Sequence, residues 1–377
     1  MIFRLFYILF LLTVFFSDLI AADIKVLLKK SNYQTSLYLP RGYLLLNLTT
    51  NKVITTVNTD SKFVFSMIDG KIKISDVGVF TGPILIEQQQ RNTFFRFNNR
   101  KYTGNLLLVL RNEYLWYINI LDVEKYLEGV LPNEISPKWN LEVIKAQAIA
   151  ARSFAYYIMK NNKNNLYDLT DSTFSQVYRG FGNESNVFNK AVKDTRNLVM
   201  VYRNEIVEAF FHSACGGHTE SAEKVWGKKL PYLRGVTCNY CKNSPYYRWT
   251  AKFKKTEILT LLKKAGYFFS DIRAIVPARR SVSGRWIEVK IIGRKNRKII
   301  QGNKFRIILG IRKLKSTKFR VRRYKDYFEF IGNGWGHGVG MCQWGAKTMA
   351  EKGYKYYQIL RYYYRGVRIV DVSKLKF

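Results

Sequence analysis

The stretch Tyr126–Met159 reads YLEGVLPNEISPKWNLEVIKAQAIAARSFAYYIM, and it decides how the rest of the chain is read. Pro132 and Pro137 bracket Glu134 and predict a loop, because proline lacks a backbone donor and disfavours the helical region for the residue before it. A helix is predicted from about Leu141 to Met159, where Leu141, Ile144, Ala148, Ala151, Ala155 and Ile158 recur at helical spacing. Lys145 and Arg152 are seven residues apart and project from a second face about two turns long. A carboxyl group in a stiff loop beside two helix-borne cations suits acid/base chemistry. The competing reading of this segment alone is an ordinary surface ion pair.

Outside this stretch, the chain of 377 residues is long enough for two or three domains, and 47% hydrophobic with 15% aromatic content indicates a folded protein. Its formal charge of +36 implies an anionic partner: nucleic acid, an anionic membrane or an acidic wall polymer. Met1–Ala22 reads as a signal peptide or uncleaved anchor. Arg4 precedes the apolar run Leu5–Phe16, and Ala21-Ala22 offer a small-residue cleavage site. That run is short for a membrane span. Export to the periplasm or the wall side of the membrane is therefore expected, with membrane contact only through this segment. Export argues against a nucleic-acid partner.

Residues 23–100 alternate in short strand-like runs and predict a small N-terminal β domain for docking. Residues 101–377 follow as the expected catalytic domain. A hairpin, Asn105–Leu110 and Tyr114–Ile120, leads to Glu134, and a second hairpin, Leu198–Tyr202 and Ile206–His212, runs into FHSACGGHTE at 211–220. His212 and Ser213 are neighbours on a strand and face opposite ways, which argues against a serine nucleophile. Asp168 and Asp171 read as turn residues rather than a metal site. Residues 246–330 are rich in Lys and Arg and read as a basic inserted subdomain. The segment GNGWGHGVGMCQWGA at 332–346 alternates glycine with other residues and suggests a sugar-lined floor around His337; one helix is predicted over Lys347–Tyr364. The fold class expected is α+β: a mixed β-rich catalytic core with one long helix beside the active-site loop, a small N-terminal β domain and the basic insertion.

Tyr126–Tyr156, Ser175–Gly180, Phe211–Trp226, Pro231–Leu233, Ser281–Arg285 and Gly334–Ala350 together resemble the sporulation stage II protein D, or amidase-enhancer, family. The resemblance implies a lytic transglycosylase acting on peptidoglycan glycan strands whose stem peptides have been removed. It puts the catalytic glutamate at Glu134 and supporting positions at Lys145 and Arg152. Gln176, His212 and His337 are expected to line the glycan site with them. Ordinary glycosidases use two carboxylates. A lytic transglycosylase needs one, which protonates the glycosidic oxygen and then takes the proton of the muramyl C6 hydroxyl. Glu134 is therefore expected to be partly buried, with Lys145 and Arg152 not in close contact with it. A non-catalytic activator or docking partner of a wall amidase is the alternative.

Some relatives hold zinc through a His and two Cys before the Gln-Val-Tyr element, and the run Asn161–Ser175 has neither residue. Four cysteines stand elsewhere: Cys215, Cys238, Cys241 and Cys342. Cys238 and Cys241 have a metal-knuckle spacing, and Cys215 and Cys342 sit in the two glycine-rich motifs expected to meet. A structural zinc centre follows if all four converge, with His218 as a substitute ligand. Disulfides are the competing expectation in an exported chain, and free thiols the third.

Overall fold

Asp122 ends a strand and begins a helix, because its Oδ1 accepts from the backbone N–H groups of Glu124 and Lys125. That helix is α1 (Val123–Glu134), and Asn140 caps the next, α2 (Leu141–Asn161), in the same way through the Glu142 N–H. Glu134 is therefore the last residue of a helix and does not lie in a loop. Pro132 sits inside the final turn of α1, costing one backbone bond without ending the helix, and Ile135 still donates to the Leu131 carbonyl. The computed structural model describes residues 23–172, 176–182 and 185–375. The leader expected over Met1–Ala22 lies outside the described residues. Among them, no helix is long and apolar enough to cross a membrane.

The chain divides into two units. One comprises the residues up to Gly129, Asn162–Gly182 and the chain from Ser373; the other comprises Val130–Asn161 and Asn183–Val372. In the first unit a seven-stranded sheet runs in the order Leu169–Thr170, Asp23–Ser31, Tyr114–Asp122, Asn105–Arg111, Ile84–Gln88, Tyr43–Asn47, Lys52–Val57. A six-stranded sheet runs Arg100–Tyr102, Phe95–Phe97, Thr35–Leu39, Ser61–Ile68, Lys71–Ile74, Gly78–Phe80. Their apolar faces pack together: Tyr43 meets Phe95 with ring centroids 6.2 Å apart, and Phe97 meets Tyr117 at 4.7 Å. The hairpin that leads to Glu134 belongs to this unit, since Tyr114–Asp122 pairs along its length with Asp23–Ser31. Asp168 and Asp171 serve structure. Asp168 accepts from the Lys25 backbone N–H, and Asp171 pairs with Arg100 at 3.4 Å.

In the second unit α2 is buried on almost every face from Val143 to Tyr156, as befits a helix surrounded by others. It packs against α3 (Asn186–Asp194) and the strand Leu198–Tyr202. After α4 (Ala222–Trp226), residues 249–330 build their own apolar core around Phe253, Trp286, Phe305 and Phe330. Two three-stranded sheets, α5 (Lys255–Lys264) and α6 (Gly302–Leu309) enclose that core. The helix predicted over Lys347–Tyr364 is two helices, α7 (Gln343–Glu351) and α8 (Tyr356–Tyr363). Gly353 separates them in the left-handed region at φ +88°, while Tyr354 donates back to the Met349 carbonyl.

Candidate functional site

The two glycine-rich motifs of the second unit form one structure. Phe211 and His212 pair in parallel with Met341 and Cys342, Ala214 bridges Trp335, and Glu220 bridges Val339. Two glycines are required by close approach. A Cβ on Gly338 would lie 2.4 Å from the Arg285 guanidinium, and one on Gly336 would lie 2.7 Å from the His212 Cβ. Arg285 is fully buried and donates to the carbonyls of Cys215, at 3.0 Å, and Gly336, at 3.4 Å, so one side chain fastens both motifs. Glu220, also buried, accepts from Ser281, from Ser283 at 2.7 Å and from the Ser221 N–H at 2.9 Å. Ser281–Arg285 thus joins the insertion to the glycine-rich floor.

His212 is buried. Its Nδ1 lies 3.0 Å from the Val339 carbonyl, which assigns the ring proton there and leaves Nε2 as a buried acceptor without a partner among the described residues. Burial, with the Arg285 charge nearby, lowers its pKa to about 3. The His337 ring stands between His212 and Trp226, with centroids at 5.6 and 5.0 Å, and its Nδ1 accepts from the Val339 N–H. Burial and the neighbouring His212 hold it well below the ordinary imidazole value, so both rings are neutral.

Glu134 is half-buried at the end of α1. The loop it opens carries Trp139, whose ring packs edge-on against Trp344 at 5.3 Å, and the Trp344 N–H donates to the Ser213 carbonyl. The Glu134 segment is thereby stapled to the glycine-rich motifs through an aromatic pair. Trp139 lies within the stretch that opens the sequence reading, yet nothing there gives it a role. A tryptophan two residues past a proline carries no local mark of what it will touch. Gln147 is a second position near the floor that sequence reasoning missed: it is fully buried on α2 and accepts from Gln343 at 3.3 Å.

The other expected site residues are placed differently. Lys145 pairs with Asp194 at 2.9 Å and Glu142 at 3.9 Å. Arg152 is fully buried, and among its bonds are those to the Val192 and Leu198 carbonyls and the Thr195 hydroxyl. Sequence reasoning put Arg152 at the glycan; these bonds, among others, tie its guanidinium into packing against α3 and the strand Leu198–Tyr202. Gln176 belongs to the first unit, where it is buried and accepts from the Tyr126 hydroxyl at 3.0 Å.

The Sγ atoms of Cys215, Cys238, Cys241 and Cys342 all lie within 4.8 Å of one another, and all four residues are buried. They are free thiols, with Cys215 and Cys241 at 3.4 Å, well beyond the roughly 2.05 Å of a disulfide. Four sulfurs around one zinc would stand about 3.8 Å apart. Backbone donors point at the sulfurs: the Cys215 and Gly345 N–H groups approach Cys342 Sγ at 3.2 and 3.4 Å. The Tyr363 hydroxyl lies 3.3 Å from Cys238 Sγ. Donors aimed at sulfur favour the thiolate that a metal requires. Hydrogen bonding from Cys215 pulls the Cys241 thiol down, while burial pushes Cys215 and Cys342 up. His218 lies outside the cluster, its Nδ1 on the Thr219 carbonyl. The residues present therefore fit a tetrahedral metal ion, with Cys342 rather than His218 as the fourth ligand.

Comparison with known proteins agrees with this arrangement of motifs. A family model described as "Stage II sporulation protein" matches residues 111–202, and one described as a domain of unknown function matches residues 234–340. An uncharacterized protein of Brachyspira hyodysenteriae is 36% identical over 305 residues, covering 81% of each chain. Stage II sporulation protein D of Bacillus subtilis is 32% identical over 270 residues, 67% of this chain and 76% of that protein. The amidase enhancer of Bacillus subtilis is 27% identical over 354 residues, 80% of this chain but 49% of the enhancer. The chain belongs to the stage II sporulation protein D family.

Proposed function

We propose that the protein is an exported peptidoglycan lytic transglycosylase that cleaves MurNAc–GlcNAc linkages of denuded glycan strands and leaves 1,6-anhydro-MurNAc ends. Glu134 protonates the glycosidic oxygen as its bond to the muramyl C1 breaks. The muramyl C6 hydroxyl then closes on C1 and returns its proton to the Glu134 carboxylate, so no water is consumed. The observation that carries the reading is the half-buried Glu134 carboxylate on a segment anchored to the glycine-rich floor by Trp139 and Trp344. Glu220, the carboxylate built into that floor, accepts from Ser281, Ser283 and the Ser221 N–H and so serves the floor's own structure. Glycine-lined backbone and half-exposed tryptophans suit the flat faces of sugar rings.

In this reading Lys145 and Arg152 act by positioning, as they tie α2 to α3, and buried His212 holds the junction of the two glycine-rich motifs through its bond to the Val339 carbonyl. His337 completes the set assigned to glycan binding in the second unit, while Gln176 supports the first unit through Tyr126. The four cysteines would hold a structural zinc ion that fixes the junction of the two glycine-rich motifs and takes no part in bond cleavage.

Digestion of denuded strands, read by mass spectrometry, tests the proposal. Anhydro-ended products from the wild type, and none from Glu134→Gln, are expected. Equal products from both would overturn it. The amidase-enhancer relative motivates a second reading, a non-catalytic partner of a wall amidase. Stimulation of an amidase by a chain that releases no anhydro ends would select that one.

A further inference from the structure

Across four neighbouring strands of the six-stranded sheet in the first unit, Lys62 lies opposite Tyr38, Tyr38 opposite Arg96, and Arg96 opposite Lys101. Residues paired across a ladder point to the same face, so these four side chains form one row. Three strand spacings make the row roughly 14 Å long, suited to a segment of polymer rather than to a small ion. Leu37, Leu39, Phe65, Phe95 and Phe97, which alternate with the row, are buried and hold it outward.

The row lies in a cleft of about 1190 Å³ that Gln34, Ser36, Asn98 and Asn99 also line. Tyr38 is 52% exposed, with the Lys62 ammonium 5.8 Å from its ring centroid. Asp60 is the carboxylate in the lining, and it accepts from the Arg41 N–H. Arg100, at the cleft edge, is paired with Asp171. Among the described residues, no carboxylate comes within ion-pair distance of Lys62, Arg96 or Lys101.

A solvated basic face explains isolated lysines. It does not explain a concave row of unpaired cations with an exposed aromatic ring at its middle and neutral amides around it. That combination matches a ligand with apolar ring faces, many hydroxyls and regularly spaced negative charge.

We propose that this cleft binds a carboxylate-bearing glycan strand, gripping its charges with Lys62, Arg96 and Lys101 and stacking a sugar on Tyr38. The identity of the strand as denuded peptidoglycan, with one lactyl carboxylate per muramyl residue, rests on the proposed function. The grip itself does not depend on cleavage.

The experiment uses the full chain carrying Glu134→Gln, so that strands are bound and not consumed. Binding to soluble denuded strands is measured by calorimetry at low and high salt. Adding Lys62→Ala, Arg96→Ala and Lys101→Ala together should weaken binding at low salt by about tenfold or more and remove most of its salt dependence. Tyr38→Ala should weaken it several-fold with the salt dependence intact. Amidating the strand carboxylates should reproduce the loss seen in the triple variant. Unchanged affinity in the triple variant, unchanged binding of amidated strands, or tighter binding to duplex DNA or anionic vesicles than to glycan would each overturn the proposal. Circular dichroism confirms that the variants, all on exposed positions, remain folded. If the binding contrast holds while the wild type yields no anhydro ends, the cleft survives and the lytic reading fails. If anhydro ends form and no binding contrast is seen, the lytic reading survives and the cleft fails.

Discussion

In the second unit Arg152 and Arg285 are fully buried and donate to backbone carbonyls, whereas in the first unit Lys62, Arg96 and Lys101 stand in one row on an outer sheet face, with no carboxylate among the described residues within ion-pair distance. The same residue types therefore do two kinds of work. A buried guanidinium fixes geometry, because leaving carbonyls unpaired beside a desolvated charge is costly. An exposed row stabilises the fold little and is available to a ligand. The +36 charge of the chain, read as one property, conceals this division.

The comparison is sharpened most by the cysteine centre, where the largest stability effect is expected. If the proposed zinc ion is bound, a chelator should lower the stability of the purified protein by about 5 kcal/mol or more and expose four titratable thiols, which melting curves and a thiol reagent would record. A chain that holds no zinc by elemental analysis and melts unchanged with chelator would remove the metal from the account. Next in size is Arg285→Met. It leaves the Cys215 and Gly336 carbonyls without their donor and should cost about 3 kcal/mol in urea unfolding. A loss below about 1 kcal/mol would mean that the buried cation is not the fastening described here.

A smaller effect is expected from pH. Folded His212 titrates near about 3, below its ordinary value of 6.5, so between those values the unfolded chain binds more protons and stability falls as pH is lowered. The slope from this one group is at most about 1.4 kcal/mol per pH unit, and His212→Asn should flatten the stability–pH curve by that amount in the zinc-loaded protein. The smallest effect belongs to the exposed row. The triple Lys62, Arg96, Lys101 alanine variant should shift the melting temperature by no more than about 2 °C. A large drop there would mean that the row supports the fold and would erase the contrast.

What could be read from the sequence follows the same division. Alternation located the strands of the first unit as far as Lys71–Ile74 and the hairpin from Asn105, and helical spacing located α2, because both signals are local; the short strands Ile84–Gln88 and Phe95–Phe97 gave no such signal. The row Lys62–Tyr38–Arg96–Lys101 was invisible, since its members come from separate strands and meet only through register. The four cysteines could be grouped because their spacing and motifs are distinctive. Arg285 could not be assigned a role, since nothing local shows that it will lie beneath Gly338. Pro132 misled in the other direction: it suggested a loop, but the last turn of α1 tolerates the lost bond.

In the proposed reaction Glu134 carries a proton out and back while the sugar closes on itself. Digestion of denuded strands in water enriched in oxygen-18 tests that step. Anhydro-muramyl ends without label are expected, since the closing oxygen is the strand's own C6 hydroxyl. Label at a new reducing end would show that water attacked the muramyl carbon and would overturn the proposed reaction.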